Sequence, residues 1–327
     1  MNIKPLKSPS DCFDLPFPAN KRFDAVGFGL NSVDHLCMVP RYPAFDSKTE
    51  IAGYEKLPGG QVATAMLFLA RNGCRVKYIG KVGGDDLGRF FMDSFKEESI
   101  DIDSVIVQDD ALNEFAFIII DKESGERTIL WQRDEKLNFK LSEMDDESIG
   151  SGKIIHLDGV DSVAALHAAS FCRDRGIPVC IDLDMVVPDC RKLVDNIDFL
   201  IVSSNFCREF TGVPNAIEAF RALNAQYSGF PVMTLGAEGA VTCIGNQILQ
   251  FPGMRVEAVD TTGAGDVFHG AFLYGLLRNW PLEKIMAFSN AAAGFSCKYL
   301  GAQSGIGSVD EILPLLGDNG LFSYRIV

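Results

Sequence analysis

Residues 260–272 read "DTTGAGDVFHGAF". Three small residues, Gly263, Ala264 and Gly265, stand between Asp260 and Asp266 and lead into an apolar, helix-like run that continues through "LYGLL". Peptide N–H groups without bulky side chains, at the positive end of a helix, form a site for phosphate or a developing anion. An anion bound there repels a neighbouring carboxylate, so Asp266 needs a reason. Two readings are open: Asp266 caps the helix, or it acts as a general base that takes a proton from an attacking hydroxyl. The helix dipole contributes about 0.3–1 kcal/mol to an exposed charge. An amide aimed at a transition state counts for more, since losing one costs roughly 2.7–4 kcal/mol.

Outward from this corner, short apolar strands alternate with longer amphipathic segments from Phe23 onward. "FDAVGFGL" reads as a buried strand, "GQVATAMLFLARNG" as a helix ended by Gly73, "RVKYIGKVG" as a strand and "DDLGRFFMDSFKEES" as a helix. The rhythm resumes after residue 150 in "KIIHLDG", "VAALHAASFCRDRG", "IPVCIDLD", "DFLIVSS" and "FPVMTLG". Crossovers of this kind imply a mostly parallel sheet covered on both faces. Two stretches interrupt it, "LCMVPRYPAFDSKTEIAGYEKLPGG" and "NEFAFIIIDKESGERTILWQR". They read as β-ribbons over about 35–58 and 108–133, the second a hairpin, which together form a lid. The expectation is an irregular N-terminal extension over 1–22 and a single α/β domain over 23–327.

Composition narrows the function. The 327 residues carry a formal net charge of −14, with 47% hydrophobic and 23% charged residues, which argues against a nucleic-acid partner, since neutralising phosphates needs clustered cations. Nine scattered cysteines without a C-x-x-C pair argue against a disulfide framework or zinc finger and for a reducing compartment. The first residues contain no continuous apolar stretch of a secretory leader, and "FAFIII" is far too short to span a bilayer. A cytoplasmic protein with no membrane partner is expected.

Two nucleotide signatures fail. No G-x-x-x-x-G-K-[ST] string occurs, and "GFGLNS" places Ser32 where a dinucleotide fingerprint needs its third glycine. Hydride transfer is therefore a distant reading.

"DTTGAGDVFHGAF" resembles the C-terminal signature of the ribokinase-like sugar kinases, the phosphofructokinase B family. "GLNSVDH" is similar to that family's sugar-binding loop, "LPGGQVATAMLFLARNG" to its Gly-Gly signature and "GKVGGDDLG" to the strand–turn–helix that follows. "VMTLGAEGA" resembles its nucleotide loop and "AFSNAAAGFS" its late helix. Six matches in order, from about Phe23 on, are far more specific than any one of them.

The resemblance implies a ribokinase-like three-layer α/β/α fold and transfer of the γ-phosphoryl group of ATP to a hydroxymethyl group of a small carbohydrate. Asp266 matches the general base and Gly263, Ala264 and Gly265 the anion hole. Asp34 matches the sugar-binding carboxylate, with Asn31, Gly59 and Gly60 as companions and Asp158 as a further contact. For the nucleotide, Thr234, Gly236 and Gly239 match the loop and Asn290 the residue near adenosine. Mg²⁺ is expected as the ATP chelate, bound largely through phosphates and water. Many members also hold a monovalent cation, which implies potassium at Asp260, Thr262, Ser296 and Gly301. Pairing through the lid implies a homodimer.

Three departures stand out. Thr64 occupies the place of an asparagine in Gly-Gly-x-x-x-Asn. The family's Asn-x-x-Glu is degenerate in "VSSNFCREFTG": one register gives Ser203 and Phe206, the other Asn205 and Arg208, with Glu209 one residue late. Gly305 stands where some members supply a hydroxyl. His269 reads as packing, and Trp131 and Arg133 lie on the second ribbon. In the pocket, Arg133 would favour an anionic sugar. A nucleoside kinase of the same family and a non-catalytic sugar sensor remain the alternatives.

Overall fold

Residues 5–124, 126–318 and 321–327 are described by the computed structural model. In chain order the strands are β1 (Phe23–Phe28), β2 (Ser32–Val39), β3 (Gly53–Gly59), β4 (Val76–Ile79), β5 (Lys81–Gly83), β6 (Ile106–Gln108), β7 (Phe115–Asp121) and β8 (Arg127–Gln132). After these come β9 (Gly152–Asp158), β10 (Val179–Leu183), β11 (Phe199–Ser203), β12 (Phe230–Thr234), β13 (Ala240–Ile244), β14 (Gln247–Phe251) and β15 (Arg325–Ile326).

Nine strands make one sheet in the order β15-β14-β13-β12-β11-β10-β9-β1-β4. The run from β4 to β12 is parallel, and β13 to β15 continue it antiparallel. Every residue of β10 is buried, as are four of five in β11 and in β12, because helices cover both faces. One face carries the helices Gln61–Arg71, Ala264–Leu277 and Leu282–Ser296, packed around Met66, Phe68, Phe272 and Phe288. The other carries Ser162–Asp174, Ser204–Thr211 and Ala216–Gln226, packed around Ala168, Phe206 and Phe220. This is the expected α/β/α architecture. Gly270 allows the first two helices to meet closely, since a Cβ there would stand 2.7 Å from the Phe68 Cβ.

The lid is a four-stranded sheet, β3-β2-β7-β8. Its inner face buries Leu36, Ala116, Ile118 and Ile120 over Leu57 and Leu300. Alternation puts Phe117 and Leu130, which pair across β7 and β8, on the outer face, 42% and 56% exposed. His35 stacks on Phe117 there, ring centroids 4.9 Å apart, and its Nδ1 lies 2.6 Å from the Tyr54 hydroxyl.

Several boundaries differ from those read in the sequence. The stretch "RVKYIGKVG" breaks at Gly80: β4 stays in the main sheet, while β5 pairs with β6 in a separate two-stranded ladder. The second lid ribbon therefore starts at Phe115 rather than near 108. The first begins at Ser32, immediately after β1, so Asp34 sits inside a lid strand and not in a loop after the first strand. The irregular N-terminal segment also reaches the core. Phe13 is 3% exposed and packs edge-on against Phe199 and Phe230, centroids 5.2 and 4.8 Å away.

Candidate active site

Parallel sheets open their ligand crevices beyond the carboxyl ends of the strands. Here β1 leads into Gly29, β9 ends on Asp158 and β10 carries Asp182 one residue before its end, and the register sets Asp182 directly beside Asp158. Helix Ala264–Leu277 aims its N-terminus at the same edge. Gly263 is its N-cap, with φ 74° and no capping side chain. A Cβ on Gly263 would stand 2.5 Å from that of Ala302, so both the left-handed backbone and the space demand glycine.

Asp266 lies in the first turn without capping the helix. Burial raises its carboxyl well above the ordinary range, and the charges of Asp182, Asp34, Asp184 and Asp158 push it further. Burial and Asp184 likewise raise Asp182, and burial raises Asp184. Five carboxyl groups thus face one corner. Asp182 and Asp184 were missed in the sequence reading, although "IDLD" at the end of a buried strand is the pattern that could have found them.

The three amides of the corner are not equivalent. That of Ala264 donates weakly to the Thr261 carbonyl at 3.3 Å, whereas those of Gly263 and Gly265 have no acceptor among the described residues. A Cβ on Gly265 would meet open space. The preceding loop is fixed by Asp260, 4% exposed. Its Oδ1 accepts from the Thr262 amide at 2.9 Å and hydroxyl at 2.7 Å, and its Oδ2 accepts from the Gly301 amide at 2.9 Å. Of the four residues matched to a monovalent cation, Asp260, Thr262 and Gly301 are therefore joined. The Ser296 hydroxyl instead donates to the Ala293 carbonyl, 2.9 Å away. A Cβ on Gly305 would lie 2.4 Å from the Ser296 carbonyl oxygen. Arg127 of the lid reaches the Thr261 hydroxyl.

The sugar-side residues gather across the crevice. Asp34 is 6% exposed, and burial pushes its carboxyl up to about 6, opposed by a 3.0 Å bond from the Ser32 hydroxyl and reinforced by Asp260. Asn31 donates to the Tyr78 hydroxyl at 3.2 Å and to the Lys81 carbonyl at 2.8 Å, leaving its buried Oδ1 unpartnered. Gly60, at φ 103°, abuts the Asn31 backbone, where a Cβ would stand 2.6 Å from Cα. Asp158 is spoken for on both oxygens, accepting from the amides of Leu30 at 2.6 Å and Val160 at 3.0 Å. Burial still pushes it up to about 6. Its first task is to tie the loop after β1 to the loop after β9.

Arg133 is not solvated. It lines a small pocket with Gly29, Lys81, Phe139 and Asp158. Its guanidinium donates to Glu114 at 3.2 Å, the Leu137 carbonyl at 3.1 Å and Asn138 Oδ1 at 3.3 Å. Burial pushes Glu114 up to about 7 against the pull of Arg133. Lys81, buried beside it, is held by Glu143 at 3.0 Å. Thr64 turns inward and accepts from Gln303 at 3.2 Å. Trp131 pairs with Ala116 on the crevice-facing side of the lid, 66% exposed.

On the nucleotide side, β12 ends at Thr234 and turns through Gly236, φ 58°, and Gly239, φ 90°. A Cβ on Gly239 would stand 2.1 Å from the Phe251 carbonyl oxygen, so the loop closes only on glycine. Asn290 clamps the neighbouring turn by donating to the carbonyls of Phe251 at 3.2 Å and Pro252 at 3.0 Å. In the degenerate Asn-x-x-Glu region, Ser203 caps helix Ser204–Thr211 through the Phe206 amide at 3.1 Å, and Glu209 is exposed.

Known proteins resemble this chain over most of its length. The model of the pfkB family carbohydrate kinases matches residues 24–308. A ribokinase of Lactococcus lactis is 26% identical over 285 residues, 87% of this chain and 94% of its own. A nucleoside kinase of Methanothermobacter thermautotrophicus is 24% identical over 291 residues, 88% and 94% of the two chains. Among solved structures, Arabidopsis thaliana ribokinase complexed with ribose and ATP superposes with TM-score 0.77 at 21% identity, covering 90% of this chain and 98% of the other. Fructokinase of Xylella fastidiosa with bound ATP gives 0.75 at 21%, covering 91% and 99%. These two show the shared fold. With a family match running from β1 past Gly305, and the glycine step, the acidic crevice and the lid in one chain, this protein belongs to the pfkB family of carbohydrate kinases.

Proposed function

We propose that the chain transfers the γ-phosphoryl group of ATP to a hydroxymethyl group of a small, uncharged polyhydroxy substrate, working as one domain from residue 23 with the lid above the crevice. The observation that carries this reading is Asp266, uncapped at a helix N-terminus beside the amides of Gly263 and Gly265 and opposite Asp34.

Asp34 accepts hydrogen bonds from two neighbouring hydroxyls, Gly59 and Gly60 let the ring lie against backbone, and the Asn31 amide oxygen accepts a third. Asp266 takes the proton of the attacking hydroxymethyl group. That oxygen bonds to the γ-phosphorus while the bond to the β–γ bridging oxygen breaks, and ADP departs. The free amides offset charge gathering on the transferring group, so positioning and electrostatics dominate. Thr234, Gly236 and Gly239 hold the nucleotide, with Asn290 supporting their neighbouring turn. Magnesium, bound with ATP, neutralises phosphate oxygens. Asp182 and Asp184 offer the hard oxygen donors that fit it, in place of the absent Asn-x-x-Glu.

An uncharged substrate is favoured because both cations at the pocket wall are already paired, Arg133 with Glu114 and Lys81 with Glu143. The test is ADP release with Mg²⁺ across sugars, sugar phosphates and nucleosides, for wild type and Asp266→Asn, in potassium and in sodium. Turnover of an uncharged compound that drops about 10²–10⁴-fold in the variant supports the reading. Undiminished turnover in Asp266→Asn sinks the base assignment, and preference for a sugar phosphate sinks the substrate class. Faster turnover in potassium assigns a monovalent cation to the Asp260–Thr262 and Ser296–Gly301 loops. The exposed outer face of the lid, with Phe117 and Leu130, is the surface through which we expect two copies to pair, in a cytoplasmic enzyme.

A further inference from the structure

One turn beyond Asp266, beneath the crevice and outside the reactions just described, three buried side chains converge from distant parts of the chain. His156 lies on β9, Cys180 directly beside it on β10, and His269 on the helix that covers them. One nitrogen of each imidazole and the Cys180 Sγ all lie within 4.8 Å of one another. Among the described residues this is the one such group of three.

Its hydrogen bonding is incomplete in a way that ordinary packing does not explain. The Nδ1 of His269 is buried without a partner, and neither ring nitrogen of His156 makes a well-formed hydrogen bond, only the Cys180 backbone lying near. A buried polar atom without a partner costs about 1–3 kcal/mol, and such atoms are rare in native interiors. Here all three belong to the two imidazoles of this group. His269 Nε2, by contrast, stands 3.1 Å from Asp182 Oδ1. A carboxylate in that place keeps the proton on Nε2 and leaves Nδ1 with a free lone pair, which is how metal-bound imidazoles are oriented by a carboxylate behind them.

We infer that His156, Cys180 and His269 form a binding site for one d¹⁰ transition-metal cation of the zinc(II) class, tying β9 and β10 to the helix that carries Asp266. Two imidazoles and a thiolate suit such a cation and not magnesium or calcium, which require oxygen donors. Metal–ligand lengths of about 2.3 Å to sulfur and 2.0–2.1 Å to nitrogen set tetrahedral donor separations near 3.5 Å. Rotation of the imidazoles about their Cβ–Cγ bonds draws the present spacing inward. The remaining position is left for water. On binding, Cys180 gives up its thiol proton to solvent and becomes a thiolate, while both histidines bind neutral. The cation would also offset the negative charge of Asp182, Asp184 and Asp266 above it, so it would both hold the helix in place and ease ionisation at the crevice.

Because every donor is buried, the metal enters as the chain folds. The test uses the full-length protein from cells grown with added zinc or cobalt and freed of loose metal by gel filtration in metal-free buffer. We expect close to one zinc per chain in wild type and less than about one-tenth in Cys180→Ala and His156→Asn, with Asp182→Asn weakening retention against a chelator about 10–100-fold. The cobalt form should show a thiolate-to-cobalt charge-transfer band that Cys180→Ser abolishes. X-ray absorption of the wild-type zinc form needs no variant, and should show one sulfur at about 2.3 Å with nitrogen or oxygen at about 2.0–2.1 Å. Wild-type protein that retains less than one-tenth equivalent of zinc, cobalt and cuprous ion overturns the site. So does a zinc shell without sulfur, or equal metal content in wild type and a folded Cys180→Ala.

Discussion

Gly59 and Asp34 face each other across the root of the lid so closely that a Cβ on Gly59 would stand 2.3 Å from Asp34 Oδ2. The glycine is thus the wall against which the carboxylate is set. Gly59→Ala should leave the fold and nucleotide affinity intact while pushing the carboxylate off its mark. Misplacement of about 1 Å costs on the order of 10²-fold in rate. Steady-state kinetics should show the loss in kcat/KM for the sugar, with little change in KM for ATP. Unchanged sugar kinetics would remove Asp34 from the binding role.

The buried carboxyl of Asp34 also makes a pH prediction. Its folded value, about 6, lies above the ordinary value of 3.8, so between the two the native state holds a proton that the unfolded chain has released. Its destabilising charge is absent below about pH 4 and fully present above about pH 6. Asp34→Asn removes that cost. Relative to wild type, the variant's urea midpoint should rise steadily between these limits, by the equivalent of roughly 2–3 kcal/mol. A pH-independent difference would show that the carboxyl is not so shifted. Sugar turnover in wild type should fall as pH drops through about 6.

Asp260 holds three donors of the loop before the anion corner. Asp260→Ala strands the Gly301 amide and the amide and hydroxyl of Thr262, each a loss of about 1–3 kcal/mol where water cannot replace the acceptor. Thermal unfolding should shift down. The loop should also loosen, so kcat should fall more than the KM for sugar. A destabilised variant with wild-type kcat would show that the corner does not depend on this loop.

On the outer lid face, Leu130→Glu places a charge in the middle of the exposed apolar surface around Phe117 and Tyr54. Sedimentation velocity should find wild type as a dimer and the variant as a monomer. Dimers in both would move the interface elsewhere.

How far the sequence reaches depends on whether the controlling physics is local. The glycine step at 263–265 and the helix after it could be read directly, because a left-handed N-cap and an apolar run announce themselves within a dozen residues. The fold class followed from the alternation of strands and helices. Asp182 and Asp184 escaped notice because their place beside Asp266 arises from parallel register with Asp158, a relation between strands 24 residues apart in the pairing of Asp182 with Asp158. The sequence places Arg133 only on the second ribbon, and its pairing with Glu114 and Asn138 depends on contacts between separate elements. Asn290 and Asp158 carried roles by resemblance, yet their polar atoms first serve to clamp neighbouring backbone.

The seat of Phe13 between Phe199 and Phe230 turns the leading peptide into a plug in the floor of the main sheet. A protease that nicks the exposed stretch between this plug and the first strand would not free the fragment. The severed piece would stay lodged by its aromatic anchor and travel with the enzyme as one particle, separating only in denaturant.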